Sequence, residues 1–278
     1  MSPLLLDGRV VRAARLSVLA ERVKQLQRAP KLAIVQVGDR ADSAAYIRAK
    51  KAFAERIGVQ IDHVHFVEGV SEQEIVETLA RLNVDSAVDG IIVQLPLSAH
   101  LDSTKITNTI DPHKDVDGLT DVNQALLSKN DLQAIIPATA RGVKELLEYY
   151  EIGLKGKKVA VVGRSRLVGT PIAHMCAHAG AEVIVCHSKT PDLAHETRGA
   201  DIVIVAVGKP GLIGAAHIKP GAVVVDVGIN RIPDGSLKGD VDFETVKDVV
   251  SAITPVPGGV GQMTVLALFE NLLDTCKM

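Results

Sequence analysis

The chain has 278 residues, of which 47% are hydrophobic and only 3% aromatic, and its formal net charge at pH 7 is −2. This length suits about two domains of roughly 150 residues each, and the balanced charge without a Lys/Arg tract excludes a typical nucleic-acid-binding surface. Because Trp is absent, the core must be built from Val, Ile, Leu and Ala, as is typical of buried parallel sheets.

Membrane and disulfide-bonded classes are also disfavoured. The longest apolar runs, such as 202–207, are far shorter than the ~20 residues needed to span a bilayer. Charged residues interrupt the apolar pattern of the first 20 positions, so a secretory signal is not expected. The spacing of Cys176, Cys186 and Cys276 contains no CxxC, which predicts buried thiols in a reducing cytoplasm and neither disulfides nor a metal site.

Helical and strand patterns alternate along the first half of the chain. They predict a helix over 11–28, a strand over 31–37, a helix over 43–57 ending at Gly58, a strand over 60–67, a helix from Ser71 to Leu82, and a strand over 90–95. Ser71 and Glu74 form a capping-box pattern at the start of the third helix. This alternation predicts an α/β domain with a parallel sheet.

The second half begins with a predicted helix over 139–150 and a glycine-rich hinge at 153–157. A βαβ unit follows, with a strand over 159–162, a glycine turn, a helix to His178 and a strand over 181–186. Further strands are predicted over 202–207 and 222–227, and a helix over 261–277. The predicted fold is therefore α/β with two domains, residues 1–138 and 139–260, and a cleft between them. The C-terminal helix, 261–278, is expected to pack back onto the first domain.

The glycine turn that starts at Gly163 places backbone N–H groups and a helix N-terminus where a pyrophosphate can bind. An NAD-binding unit usually has Asp or Glu roughly 20 residues later, to hold the ribose hydroxyl. Here the second strand ends in Cys186-His187-Ser188-Lys189-Thr190, without a carboxylate. Since Arg164, Ser188 and Lys189 could all bind a 2′-phosphate, the sequence predicts a dinucleotide enzyme that prefers NADP.

Polar residues in the first half are candidates for chemistry. Tyr46 and Lys50 lie four positions apart and share one face of a helix, a spacing that also fits a solvated surface pair. Gln94 interrupts an apolar strand, where a buried amide needs partners. Asp117 lies in Asp115-Val116-Asp117-Gly118, a loop that is too polar for a core.

Metal binding is not predicted at the remaining polar clusters. The aspartates between 111 and 121 do not follow the EF-hand register, which would need a ligand at Leu119. His63 and His65 share one face of a strand, and a satisfied or exposed pair is the favoured interpretation. Residues 257–261 contain three glycines after a proline, which fits either a connector or a rigid loop that lets backbone approach a ligand.

Seven segments of the chain, taken together and in their order along it, resemble the bifunctional methylenetetrahydrofolate dehydrogenase/methenyltetrahydrofolate cyclohydrolase family. The matching segments are Tyr46-Ile47-Arg48-Ala49-Lys50, Val93-Gln94-Leu95-Pro96-Leu97, Asp115-Val116-Asp117-Gly118, Gly163-Arg164-Ser165, Cys186-His187-Ser188-Lys189-Thr190, Gly228-Ile229-Asn230 and Thr254-Pro255-Val256-Pro257-Gly258-Gly259-Val260-Gly261. They span nearly the whole chain. The departures from the family pattern are Ala138 and Ala140, Gln262, and Lys51 beside Ala52.

The resemblance implies a folate-binding first domain, a Rossmann-like NADP-binding second domain and a cytoplasmic homodimer. The enzyme would oxidise 5,10-methylenetetrahydrofolate with NADP and hydrolyse the methenyl product to 10-formyltetrahydrofolate. Lys50 would be the catalytic lysine of the hydrolysis, with Tyr46 beside it, Gln94 bonded to it, and Asp117 binding the pterin. The residues that would line the NADP site are Gly163, Arg164, Ser165, Ser188 and Ile229. Those that would close over the bound folate are Pro257, Gly258, Gly259 and Gly261.

Two other functions fit parts of the sequence. A dehydrogenase acting on a cyclic hydroxy acid would share the second domain, but it would not require Tyr46, Lys50, Gln94 and Asp117 together. A nucleotide-binding module that senses redox state without catalysis would not need Lys50 or Asp117 at all.

Overall fold

A computed structural model describes residues 2–276 of the chain. Its strands are β1 (Leu4–Leu5), β2 (Lys31–Val37), β3 (Gln60–Phe66), β4 (Gly90–Val93), β5 (Lys158–Val162), β6 (Glu182–Cys186), β7 (Ile202–Val205), β8 (Val223–Asp226), β9 (Asn230–Arg231), β10 (Leu237–Lys238) and β11 (Ala252–Ile253). Its helices are α1 (Gly8–Lys24), α2 (Ala41–Ile57), α3 (Glu72–Val84), α4 (Ser103–Thr107), α5 (Asp121–Ser128), α6 (Ala138–Tyr149), α7 (Gly169–His178), α8 (Leu193–Arg198), α9 (Phe243–Val246) and α10 (Val260–Thr275).

The chain forms two compact units. One contains Thr139–Thr264 together with the N-terminal segment up to Arg12. Its six-stranded sheet has the order β1-β11-β8-β7-β5-β6, and every neighbouring pair is parallel. Apart from Lys158 and Asp226, the central strands β5, β7 and β8 consist of Val, Ile and Ala residues, and nearly all of these are buried, as is typical of a parallel sheet that is covered on both faces.

The other unit contains Ala13–Ala138 together with the C-terminal segment from Val265. Its three-stranded parallel sheet has the order β3-β2-β4, with β2 in the centre. The parallel strands place the ends of β2 and β4 at one edge of the sheet, and Gln94 directly follows β4 there. Ligands bind beyond the carboxyl ends of such strands, so this edge is where the chemistry is expected.

The predicted alternation of strands and helices is confirmed, with boundaries that differ by a few residues. Two local sequence signals marked the ends of helices correctly. The Ser71 side chain accepts a hydrogen bond from Glu74 N at the start of α3, and Gly58 ends α2 in the left-handed conformation with φ of 84°. The short elements β1, α4, α5, α8, α9 and β9–β11 were not predicted, because pieces this short carry little periodicity.

The N-terminal segment differs from the domain division drawn from the sequence. Leu4 and Leu5 pair with Ala252 and Ile253, so this segment belongs to the unit that contains residues 139–264 and not to the unit of residues 13–138. The final helix ends at Thr275, and Lys277 lies outside the described residues. Within residues 2–276, no helix combines the length and apolar character needed to cross a membrane.

The cysteines are free thiols. Cys176 and Cys186 are buried as predicted, and Cys276 is only half-buried. Burial raises the pKa of the Cys176 thiol to about 12, so this sulfur stays protonated at neutral pH.

Candidate functional site

Lys50 lies on the buried face of α2. Ser43, Ile47 and Lys50 recur at helical spacing on this face, and only 7% of Lys50 is exposed. A lysine is rarely buried without a partner. Here the Lys50 Nζ donates to Gln94 Oε1 at 2.9 Å, which is the contact that the family resemblance implies.

Gln94 is held in one orientation by three hydrogen bonds. Its backbone N–H donates to Val35 O at 2.8 Å, which ties it to the central strand of the sheet. Its side-chain Nε2 donates to Leu95 O at 2.9 Å, so its Oε1 is left to face Lys50. The partners that a buried amide requires are thus a carbonyl on one side and the lysine on the other.

Burial favours the neutral forms of both Lys50 and Asp117. Desolvation lowers the pKa of Lys50, and the negative charge of Asp117 opposes that change. Desolvation also raises the pKa of Asp117, where the positive charge of Lys50 opposes it and Asp115 adds to it. A lysine with a lowered pKa forms the free amine more readily than an exposed lysine, and the free amine can accept a proton.

The loop from Asp115 to Gly118 is not the polar surface loop that its sequence suggests. Asp115 and Val116 are fully buried, because the Asp115 carboxylate accepts hydrogen bonds from Leu119 N, Thr120 N and Asn123 Nδ2 at 3.1, 2.8 and 3.0 Å. These local bonds satisfy the carboxylate inside the unit. Asp117, two residues later, is partly exposed and is the carboxylate that interacts electrostatically with Lys50.

Asn271 is a supporting residue that the sequence analysis missed. It is 3% exposed on α10, and its Nδ2 donates to Val116 O at 2.8 Å and to Ile136 O at 2.9 Å. Both carbonyls flank the backbone next to Asp117 and Gly118. The signal was a polar amide inside an apolar helix, the same pattern that drew attention to Gln94 in its strand.

Tyr46 lies one helical turn before Lys50 on α2 and is half-buried. Desolvation raises the pKa of its phenol, and the charge of Asp42 adds to that change. The phenol therefore stays protonated at neutral pH, and its ring can offer an apolar face and a hydroxyl to a ligand.

The two histidines of β3 belong to a separate polar cluster. The rings of His63 and His65 stack with centroids 5.7 Å apart. His63 lies 2.8 Å from Lys51 Nζ through Nδ1 and 2.9 Å from Gln36 Oε1 through Nε2. Burial, followed by the charges of Lys51 and His65, lowers the pKa of His63. Its polar atoms are thus engaged by neighbours, as the favoured interpretation of this pair requires.

The glycine turn after β5 packs too tightly for side chains. A Cβ at Gly163 would lie 2.2 Å from Ala206 O, and one at Gly169 would lie 2.2 Å from Gly163 O. Gly163 has φ of 127°, which other residues rarely adopt. Ser165 Oγ accepts from Val168 N and Gly169 N at 3.2 and 3.3 Å, so its hydroxyl caps the start of α7 and keeps its own hydrogen for another partner.

The turn after β6 suits a phosphate group. Arg164, Ser188 and Lys189 are exposed, and the His187 side chain is used inside the turn, where its Nδ1 accepts from Lys189 N at 3.1 Å. The next carboxylate along the chain is Asp192. It accepts from His195 N at 2.8 Å and caps α8. These exposed side chains can donate hydrogen bonds to a 2′-phosphate, and no free carboxylate in this turn would repel it. Together with the glycine turn after β5, the arrangement fits NADP better than NAD.

The loop that ends in Gly261 lies in the same unit as the glycine turn. Gly258 has φ of 120°, and a Cβ at Gly259 would lie 2.7 Å from Pro255 O, so these glycines are required by the packing of the chain itself. A Cβ at Gly261 would lie 2.9 Å from Ile229 Cδ1. Ile229 is an exposed large apolar side chain, and Pro257 is exposed as well. This packing favours a rigid loop over a simple connector for residues 257–261. The loop also carries an apolar contact, with Ile229.

The predicted residues therefore fall into two groups. Tyr46, Lys50, Gln94 and Asp117 belong to the unit with the three-stranded sheet. The residues of the predicted NADP site and of the loop 257–261 belong to the unit with the six-stranded sheet.

Comparison with known proteins gives matches along the whole chain. Residues 6–117 match the family model described as the tetrahydrofolate dehydrogenase/cyclohydrolase catalytic domain, and residues 137–278 match its NAD(P)-binding domain. The bifunctional protein FolD of Neisseria gonorrhoeae is 47% identical over 282 residues, which cover 100% of this chain and 99% of the relative.

Two solved structures are similar throughout. The bifunctional methylenetetrahydrofolate dehydrogenase/cyclohydrolase FolD of Campylobacter jejuni has a TM-score of 0.97 and 41% identity, covering 99% of each chain. The Trypanosoma brucei methylenetetrahydrofolate dehydrogenase-cyclohydrolase, solved with NADP and an inhibitor, has a TM-score of 0.95 and 37% identity. It covers 100% of this chain and 98% of its own.

Proposed function

Because the chain belongs to the tetrahydrofolate dehydrogenase/cyclohydrolase family, we propose that Lys50 and its neighbours catalyse the hydrolytic half of a two-step folate conversion. The chain is an NADP-dependent methylenetetrahydrofolate dehydrogenase and methenyltetrahydrofolate cyclohydrolase. It oxidises 5,10-methylenetetrahydrofolate to the 5,10-methenyl cation, and it hydrolyses that cation to 10-formyltetrahydrofolate.

The observation that carries the assignment is a buried lysine bonded to a glutamine whose orientation is fixed. Hydrolysis requires a proton to leave the attacking water and a proton to reach ring nitrogen N5 when its bond to the bridging carbon breaks. The neutral amine of Lys50 accepts the first proton, and the resulting ammonium donates a proton to N5. The remaining O–H proton of the hydrated carbon leaves to solvent as the C–N5 bond breaks and the formyl C=O forms. The lowered pKa of Lys50 favours the neutral amine with which this exchange begins.

Gln94 and Asp117 set the conditions under which Lys50 works. The Gln94 oxygen aims the Nζ through its 2.9 Å hydrogen bond. Asp117 accepts hydrogen bonds from N–H groups of the pterin, which a carboxylate can do in pairs. Tyr46, one turn from Lys50, lies against the folate ring. In this assignment Asp115 has no chemical role, because local N–H donors occupy its carboxylate.

The six-stranded unit binds and orients NADP, which supplies the hydride acceptor when bound. Gly163 lets the backbone approach the pyrophosphate, and Ser165 can donate its hydroxyl hydrogen there. Arg164 and Ser188 bind the 2′-phosphate, while Ile229 offers an apolar surface. Pro257, Gly258, Gly259 and Gly261 are assigned to folate binding, as the family resemblance implies. Hydride transfer itself needs no acid or base, because it depends on holding the two carbons in contact.

Homodimerisation and a cytoplasmic location complete the proposal. β6 is the edge strand of its sheet, and its Ile184 and Val185 are exposed. Edge strands with exposed apolar side chains are suited to pairing with another chain. Three free cysteines favour a reducing compartment. Light scattering after size-exclusion chromatography should give twice the chain mass, and a single-chain mass would contradict the dimer.

A spectrophotometric assay tests the activity directly. Purified protein with 5,10-methylenetetrahydrofolate and NADP should form methenyltetrahydrofolate, and the same protein should hydrolyse added methenyltetrahydrofolate above the spontaneous rate. Replacing NADP by NAD should lower the oxidation rate. Oxidation without hydrolysis would overturn the role given to Lys50, and neither activity would overturn the proposal as a whole.

A further inference from the structure

Two buried carboxylates lie together in the six-stranded unit and have no part in the chemistry above. Asp226 ends β8, and Asp240 follows β10 in the chain. Both side chains are almost completely inaccessible, at 3% and 0% exposure. Burying one carboxylate is costly unless several donors compensate it, and burying two together adds their repulsion.

The Asp240 carboxylate accepts hydrogen bonds from four donors in two loops, and these offset the cost of its burial. Its Oδ2 accepts from Val207 N at 2.7 Å and Gly208 N at 2.9 Å. Its Oδ1 accepts from Lys209 N and Asn230 Nδ2, both at 2.8 Å. Three successive backbone N–H groups make a nest that would also suit a phosphate. Since Asp240 fills this nest, a phosphate of NADP cannot occupy it.

Asp226 holds Asp240 in place. Its Oδ1 accepts from Gly228 N at 2.9 Å and from the backbone N–H of Asp240 at 3.0 Å, and its Oδ2 accepts from Val241 N at 2.9 Å. Burial, together with the charge of Asp240, raises the pKa of Asp226 to about 6. These three hydrogen bonds oppose that rise.

Glycines make room for both carboxylates. A Cβ at Gly228 would lie 2.3 Å from the carboxyl carbon of Asp240, and a Cβ at Gly239 would lie 1.8 Å from Asp226 Oδ2. Any side chain at these positions would displace a carboxylate. The arrangement therefore depends on Asp226, Gly228, Gly239 and Asp240 together.

The anchored loops lie where the second half of the dinucleotide must bind. β5 and β6 lead into the turns predicted to hold the phosphates, and β7 and β8 lie on the other side of β5. A dinucleotide that crosses the carboxyl edge of this sheet therefore places its nicotinamide half over the loops after β7 and β8. Ile229 lies in the second of these loops and is exposed.

We propose that Asp240, held by Asp226, is a positioning residue for the nicotinamide half of NADP. Its carboxylate joins the loop 207–209 to the loop 227–230 and thereby fixes the backbone that presents Ile229. The inference rests on the proposed function, and it assigns to Asp240 no contact with the reacting atoms.

Asp240→Asn tests the role, because its amide group turns an N–H donor toward backbone N–H donors. Isothermal titration calorimetry should show the Kd for NADP rising at least 10-fold, about the loss of one hydrogen bond to a charged group. Hydrolysis of added methenyltetrahydrofolate, measured without NADP, should stay within about twofold of the parent rate. Asp242→Asn is the matched control, since the Asp242 side chain makes no capping hydrogen bond, and its Kd should not change.

A merely structural role would lower the Tm of Asp240→Asn without changing the Kd for NADP, and that result would overturn the proposal. If this variant does not fold, Asn230→Ala decides, because it removes only one of the four donors. A higher Kd in Asn230→Ala would support the proposal, and an unchanged Kd would overturn it. Binding is measured without folate, so a parent protein that binds NADP but lacks both activities would contradict the proposed function alone.

Discussion

Two pairs of aspartates, one in each unit, show how backbone hydrogen bonds decide what a carboxylate does. In the loop between α4 and α5, Asp115 is bonded to three local donors, and its neighbour Asp117 is left partly exposed to act on a ligand. In the six-stranded unit, both Asp226 and Asp240 are occupied by backbone donors. In the first pair one carboxylate is structural and the other acts on a ligand, whereas in the second pair both carboxylates hold backbone in place. The number of N–H partners, and not the residue type, separates these roles.

The same contrast holds for the cationic residues. Lys50 is buried and bonded to one glutamine. Burial lowers its pKa, so the free-energy cost of losing its proton is smaller than for an exposed lysine. Arg164 is exposed in the nucleotide-binding unit, where its planar guanidinium can bind a phosphate through two hydrogen bonds. Acid–base chemistry is therefore expected in one unit and binding of the NADP phosphates in the other.

The largest effect is expected for Lys50→Met. Loss of the only group assigned to proton transfer should reduce methenyltetrahydrofolate hydrolysis by about 100- to 10,000-fold, the usual range for general acid–base catalysis. NADP binding should be unchanged, and a larger share of hydride transfer should remain. Both activities are measured in parallel, with Lys51→Met as the matched control, because Lys51 is exposed and contacts His63 instead. Near-normal hydrolysis in Lys50→Met would place the catalytic amine elsewhere.

Substitution of Asp115 and substitution of Asp117, in the loop between α4 and α5, should affect different properties of the protein. Asp117→Ala should lower the kcat/KM of both activities together by roughly 10- to 150-fold, because both reactions use the same bound ring. Asp115→Ala leaves buried N–H groups without a partner and should cost at least about 1–3 kcal/mol in the free energy of unfolding. Urea denaturation and the two assays measure these effects. If Asp115→Ala were as stable as the parent, the proposed division of roles would fail.

Arg164→Ala should sharpen the cofactor side of the comparison. A guanidinium against a phosphate contributes about 1.5–3 kcal/mol, so the KM for NADP should rise roughly 10- to 150-fold and the KM for NAD much less. Hydrolysis should be unaffected, because Arg164 lies in the other unit. Arg198→Ala, at an exposed arginine bonded to Ala216 O, serves as the control. Equal turnover of the parent protein with NADP and NAD would refute the preference.

The smallest effect is a change in the pH dependence caused by Gln94→Ala. The Gln94 oxygen accepts from Lys50 and so stabilises the ammonium over the neutral amine. Its removal should lower the pKa of Lys50 further, and the limb of the hydrolytic pH–rate profile that reports Lys50 should move to lower pH. The plateau rate should fall by about 2- to 10-fold. Gln73→Ala, at an exposed glutamine of α3, should leave the profile unchanged, and a shift to higher pH in Gln94→Ala would contradict this role.

The sequence by itself determined the class of fold and the two groups of candidate residues. Apolar strands that alternate with amphipathic helices predict parallel α/β units, because each pattern matches the period of its element. The capping pattern at Ser71 and the glycine after α2 marked helix ends, since caps and left-handed turns depend on nearby residues alone. The absence of a carboxylate after Cys186 is equally local, and it predicted the preference for NADP.

Only the tertiary structure decided which polar residues are engaged, because that depends on partners distant in the chain. The donors to Asp115 are nearer in the chain, but only the folded turn brings the amides of Leu119 and Thr120 to its carboxylate and not to that of Asp117. Asn271 reaches Val116 and Ile136 from the far end of the chain, and Leu4 pairs with Ala252. Asp240 meets a loop more than 30 residues earlier. Periodicity reports which face of an element is buried, whereas the hydrogen bonds that satisfy a buried charge form only when separate segments are brought together.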